Sequence, residues 1–165
     1  MENVLFINNG AAPEVIDEAF AGTAPKAVVI EEFPDADFVS KTAEKLRANK
    51  ASNIIVSLNE IPNDDAVVEA ITGLLLPMAD VIIPSLPEAE DMDRMSITSE
   101  PDMEVAAKQI ADSTGAAVVL LPKGIYAARN LLFFNGKPIW FEKPLTIEEI
   151  AAGMAEGKSI DEVIL

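Results

Sequence analysis

The chain contains no cysteine and no histidine. The first absence excludes disulfides and thiolate chemistry and leaves the redox compartment open. The second removes the commonest general base near neutral pH and the commonest zinc ligand. Catalysis, if any, must run on carboxylates, lysine, hydroxyls or backbone donors. Basic residues are also scarce. Against 28 Asp and Glu stand 12 Lys and Arg, a net charge of −16 over 165 residues. That argues against nucleic acid and anionic lipid as partners. An anionic substrate would need a local basic pocket to overcome the field. No apolar run is long enough to span a bilayer, so no membrane partner is expected. The N-terminus, MENVLFINNG, lacks the basic region and the length of a secretory signal, and a cytoplasmic location is expected.

What is abundant is apolar. Hydrophobic residues make up 50% of the chain, which reads as buried parallel strands plus an oligomer interface, a homodimer being expected. The length suffices for one domain with a real core, and no linker or repeat divides residues 1–165.

The stretch that organises the rest is Ala79–Glu90, ADVIIPSLPEAE. Val81, Ile82 and Ile83 are β-branched, too few for a helix, and stopped by Pro84, so they read as a buried strand. Pro84-Ser85-Leu86-Pro87 is a turn, and Pro87 with Glu88 opens a helix. In open α/β sheets, ligands collect at such carboxyl ends of strands. Around this unit, strands are expected at Val4–Ile7, Ala27–Ile30, Ile54–Val56 and Ala117–Leu121. Helices are expected over Pro13–Phe20, from Asp35 or Asp37 to about Asn49, from Asp64 or Asp65 to Pro77, and from Ser99 to Gly115. Met92–Thr98 reads as a loop. Asn135-Gly136 between Leu131–Phe134 and Ile139–Phe141 is a strong hairpin signal. Thr146 and Glu149 have capping-box spacing for a further helix, and Ser159–Leu165 begins the last. This alternation predicts a three-layer α/β/α sandwich, a mostly parallel sheet with an antiparallel hairpin at its edge.

Four pieces, in order, resemble the hydroxymethylpyrimidine phosphate kinase and pyridoxal kinase branch of the ribokinase-like superfamily. They are Leu74–Glu90, the capped helix Ser99–Gly115 leading into AAVVLLPKG, the hairpin ending in Ile139-Trp140-Phe141, and Ile150–Leu165. The resemblance is good from about Asp64 onward and rests on order and spacing. It implies a ribokinase-like core and ATP-dependent phosphorylation of a vitamin-precursor hydroxymethyl group, with ATP and magnesium as the implied cofactors. It also implies that Ser85 and Glu88 stand where the family's N-x-x-E helps hold magnesium and phosphate, Glu88 being the candidate metal ligand. Lys123 and Gly124 keep the first two positions of the family's K-G-G-H.

Departures from that pattern bear on activity. Ser85 replaces an asparagine and lacks the amide's paired donor and acceptor. The family's strand-end aspartate falls near Ser57. Where relatives carry a glycine-rich anion loop ending in the catalytic base, this chain has Glu142-Lys143-Pro144-Leu145-Thr146. Pro144 removes an N–H, and Glu148 and Glu149 place negative charge where a phosphate would sit. The family's N-terminal substrate glycines and C-terminal adenine-flanking helices also have no counterpart in the sequence. No catalytic residue is assigned on this basis. The favoured expectation is a catalytically inactive relative that binds a small molecule or serves as a regulatory or assembly subunit, with no certain cofactor. The alternative is a working kinase of a pyrimidine or pyridoxal-like alcohol. A third option is that the chain is a fragment or engineered.

Single residues keep two readings. Glu88 is either a first-turn carboxylate stabilising the helix dipole or a magnesium ligand. Lys123-Gly124 is either a strand-end turn or a phosphate clamp. Glu88, Glu90, Asp91 and Asp93 are either a solvated face or a cation site, though their spacing fits no EF-hand loop. Trp140 and Phe141 read as core or interface, and Arg129 and Lys137 are too few to form a basic site.

Overall fold

Five short apolar runs form the parallel part of one sheet: β1 (Val4–Ile7), β2 (Ala27–Ile30), β3 (Ile54–Leu58), β4 (Val81–Pro84) and β5 (Ala117–Leu120). β6 (Asn130–Phe134) and β7 (Lys137–Phe141) add an antiparallel hairpin beside β5. The computed structural model describes residues 3–8, 12–122 and 129–165. The seven strands lie in chain order, β1 to β7, without a reversal.

That order decides where the helices go. Parallel crossovers are right-handed, so successive crossovers in one direction fall on one face. α1 (Glu14–Ala21), α2 (Ala36–Ala48), α3 (Asp65–Ala70), α4 (Leu86–Asp93) and α5 (Glu100–Thr114) are those crossovers. The other face is covered by α6 (Ile147–Ala155) and α7 (Ile160–Ile164). The expected three-layer sandwich with its edge hairpin is the observed architecture.

Strand side chains alternate between the two cores. Val28, Ile30, Ile54, Val56, Ile82, Val118 and Leu120 face the crossover helices. Val29, Ile55, Val81, Ile83 and Val119 face α6 and α7. Burial on both sides is why these strands are continuous apolar runs. In the hairpin, Asn135 and Gly136 both take positive φ, 52° and 76°, as a tight primed turn requires.

Two boundaries differ from expectation for local reasons. The helix after Asp64 becomes a π-helical turn at Ile71–Leu75 and a 3-10 turn at Leu76–Met78. Pro77 has no N–H to return to the preceding turn, so the regular ladder cannot continue. α4 runs on through Met92 to Asp93, residues expected in a loop, and stops where Arg94 turns left-handed at φ 52°. At α6, Thr146 Oγ1 accepts from the Glu149 N–H at 3.1 Å, the forward half of the expected capping box. A return bond of that type occurs at α7, where the Ser159 N–H donates to Glu162 Oε1 at 3.2 Å.

A clasp ties the hairpin to α5. The Arg129 guanidinium donates to both oxygens of Glu100, each at 3.1 Å, and lies 4.9 Å from the centre of the Trp140 ring. The Trp140 indole N–H donates to Glu104 Oε1 at 2.8 Å. Arg129 holds the Glu100 carboxyl below the usual range.

The second face depends on a close approach between its two helices. A Cβ added at Gly153 of α6 would lie 2.6 Å from Val163 Cγ2 of α7. Valine is stiff at χ1 and this one is buried, so it cannot swing away cheaply. Gly153→Ala is expected to cost about 1–3 kcal/mol in urea unfolding, and adding Val163→Ala should recover part of that loss.

Candidate functional site

The carboxyl ends of the parallel strands form one edge of the molecule. β7 runs antiparallel to β6, and β6 antiparallel to β5, so β7 also ends at this edge and α6 begins there. The connections that leave β1 to β4 at this edge contain Glu31, Glu32, Asp35, Glu60 and Asp64 and no lysine or arginine. Asn8, just after β1, donates to Glu31 Oε2 at 2.8 Å.

Of the helices that start here, α1 follows Pro13 and has no side-chain cap, and the others are closed by their own side chains. Asp35 accepts from the Phe38 N–H at 2.7 Å, Asp64 from Ala66 at 2.9 Å, and Ser99 from Asp102 at 3.3 Å. Ser85 Oγ accepts from the Glu88 N–H at 3.3 Å and caps α4. Each bond satisfies a donor that an exposed helix start would otherwise present to an anion. Thr146 does the same for α6, whose first turn carries Glu148 and Glu149.

Glu88 lies beside Ser85 at the start of α4 and is half-buried. Burial pushes its carboxyl up, the Ile61 N–H it accepts from pulls it back, and the Asp91 charge raises it further. Of its acidic neighbours, Glu90 accepts from the Ile97 N–H at 2.8 Å, so it braces the loop after α4 and is not part of a solvated face. Lys123 and Gly124 lie outside the described residues. Ser57 is buried inside β3, which runs one residue further to Leu58, so the carboxylate following that strand end is Glu60. Glu31 and Glu60 were not singled out from sequence; the signal available was an acidic residue just past each apolar run.

Magnesium with a nucleotide would need oxygen ligands grouped round the ion and donors for the phosphates. Among the described residues no three carboxylates are placed to hold a metal ion. At each of these five starts one helix N–H group is committed, to Asp35, Asp64, Ser85, Ser99 or Thr146. Among the described residues this edge therefore offers no carboxylate group of three for magnesium, and the side-chain caps compete with a phosphate at five helix starts.

Compared with known proteins, residues 11–155 match the phosphomethylpyrimidine kinase family. The chain belongs to this family. It stands in the hydroxymethylpyrimidine phosphate kinase and pyridoxal kinase branch of the ribokinase-like superfamily. A hydroxymethylpyrimidine/phosphomethylpyrimidine kinase of Staphylococcus aureus (strain MSSA476) is 23% identical over 145 residues, 82% of this chain and 52% of the relative. The chain thus spans about half the length of the curated relatives it matches. The structure of phosphomethylpyrimidine kinase from Clostridium difficile 630 superposes with a TM-score of 0.80 at 19% identity, covering 92% of this chain and 70% of that one. The Staphylococcus aureus pyridoxal kinase in complex with AMP-PCP and pyridoxal gives 0.77 at 21% identity, covering 92% and 61%. The last common ancestor of HMPPK and PLK/HMPPK vitamin kinases gives 0.73 at 25% identity, covering 90% and 66%. Within this phosphomethylpyrimidine kinase fold, Ser85 Oγ and the Glu88 N–H meet at the start of α4, and the Glu88 carboxylate accepts from the Ile61 N–H after β3.

If Ser85 acts as a cap, Ser85→Ala should cost about 1 kcal/mol, while Ser85→Asn, another good cap, should stay near wild type in the same unfolding assay. A carboxyl raised by folding contributes stability below its unfolded pKa that is lost as pH rises through the folded value. Glu88→Gln should therefore gain on the wild type as pH rises from the unfolded value of 4.5 toward neutrality, read as the difference in melting temperature across that range.

Proposed function

We propose that this chain is one ribokinase-like domain, located in the cytoplasm, that does not transfer phosphate at its strand-end edge. In this reading it binds a small molecule or serves as a regulatory or assembly subunit. The observation that carries the reading is the start of α6. Thr146 occupies a donor there, Pro144 lacks one, and Glu148 and Glu149 stand in the first turn. The segment from Lys137 to Ala152 contains no glycine, so no backbone there is freed to fold round a phosphate. A phosphate charge about 4 Å from a carboxylate is opposed by about 1 kcal/mol in water and about 4 kcal/mol near a protein surface. Phosphoryl transfer depends on positioning and charge stabilisation, and this edge offers little of either.

The competing reading is ATP-dependent phosphorylation of a pyrimidine or pyridoxal-like alcohol, the kind of activity named for the relatives. Glu88, at the family's acidic position, favours it. Titration of ATP-magnesium into the full chain, followed by melting temperature and by ADP release with a hydroxymethylpyrimidine, separates the two. The proposal expects no shift and no ADP at about millimolar nucleotide, since a ligand that binds the native state must raise its apparent stability. Micromolar binding with turnover rejects it.

Homodimerisation is part of the same proposal. Val68, Leu74 and Val105 are large apolar side chains left exposed on the crossover face. Sedimentation is expected to show a dimer, and a strictly monomeric species would remove this part.

A further inference from the structure

The sheet has two outer edges, and they are built differently. β7, at one end, exposes Lys137 and Pro138. A lysine, and a proline with no N–H to offer, both discourage a further strand. β1, at the other end, is Val4-Leu5-Phe6-Ile7, with neither a charge nor a proline. Among the described residues no strand lies outside it. Val4, Leu5 and Phe6 are half-buried, whereas every residue of β2 to β5 is buried.

Register decides which backbone groups β1 has left over. The carbonyls of Asn3 and Ile7 accept from the Ala27 and Glu31 N–H groups, each at 3.2 Å, so residues 3, 5 and 7 turn their peptide groups toward β2. Peptide groups alternate in direction along a strand. The N–H and C=O of Val4 and of Phe6 therefore point away from the sheet, spaced as an antiparallel partner needs them. Side chains are left over as well. Leu5 is incompletely covered on the crossover face, and Val4 and Phe6 on the opposite one.

We propose that a second copy of this chain pairs with β1, antiparallel and across a two-fold axis at Leu5. Val4 of each copy then exchanges both backbone bonds with Phe6 of the other, and the two Leu5 side chains face each other. The pairing rests on the homodimer reading above and names the surface that the copies share. A second copy fits for two reasons. β1 carries no charge, so pairing with itself sets no like charges opposite one another in a chain of net charge −16. Lys137 and Pro138 on β7 oppose head-to-tail pairing of β1 with β7, which would build an open filament, and leave the closed two-fold. Val68, Leu74 and Val105 offer exposed side chains alone, whereas β1 offers side chains and unpaired backbone together. Antiparallel pairing points the two strand-end edges in opposite directions, so neither copy covers the other's edge.

The chain has no cysteine of its own, so a single introduced one reports its neighbour. In the full chain, Leu5→Cys would set two Cβ atoms about 4.5–5.5 Å apart across the axis, within a small shift of disulfide geometry. Oxidation should link this variant into dimers on a non-reducing gel, while Val105→Cys stays unlinked. Val4→Pro removes an N–H that bonds nothing within one copy. Sedimentation over a concentration series should show its dimer weakened at least about tenfold, as loss of paired backbone bonds across the axis implies. That variant carries the test alone if Leu5→Cys does not fold, as read by circular dichroism. A wild-type dimer in which folded Leu5→Cys fails to link, or in which Val4→Pro associates as tightly as wild type, overturns the pairing and leaves the homodimer reading standing. Linking of Val105→Cys in place of Leu5→Cys does the same. A strictly monomeric wild type overturns both.

Discussion

Everything in this molecule depends on a sheet that must be dry on both sides. Its parallel strands are apolar on both faces, so leaving either face wet would expose the larger part of their side chains. The crossover helices cover one side as a direct result of strand order. Among the described residues, the other side is covered by the nine residues of α6, the five of α7 and Leu145 just before them. So small a cover must sit close, and the contact of Gly153 with Val163 is where the two helices come together. The sheet, its connections and the position of every helix start follow from that arrangement.

The same arrangement brings several helix starts to one edge, where their free N–H groups would make it electropositive. The sequence answers with a side-chain cap at α2, α3, α4, α5 and α6, and with glutamates after β2 and β3. The edge is thereby made acidic and satisfied with itself. Asp93 shows the opposite condition on the crossover face, a buried carboxylate oxygen that nothing in the described chain answers.

Much of this was legible in the residues. Val81–Ile83 with Pro84, the Ser99 start and Gly115 stop, and Asn135-Gly136 each carry a local signal that tertiary packing does not override. The start of α6 was readable because proline, threonine and two glutamates act within a single turn. The π-helical turn was not readable, since the pattern of apolar residues is the same whether the ladder closes at four residues or five. Nor was the clasp of Arg129, Glu100, Trp140 and Glu104, whose partners are far apart in the chain and meet only once the hairpin lies against α5. Glu31 and Glu60 escaped notice because an acidic residue after a strand is ordinary until the sheet lines up several of them.

The strictly sequential strand order has a further consequence, for the order of synthesis. Each strand pairs with the one made just before it, so the growing chain can add βα units to an existing edge as it leaves the ribosome. Among the described residues, helical cover for the second face comes from residues 147 to 164. Until those are made, Val29, Ile55, Val81 and Val119 form an uncovered apolar surface on an otherwise assembled sheet. The nascent chain is at its stickiest just before these residues emerge, and its surplus of negative charge keeps such chains apart during that interval.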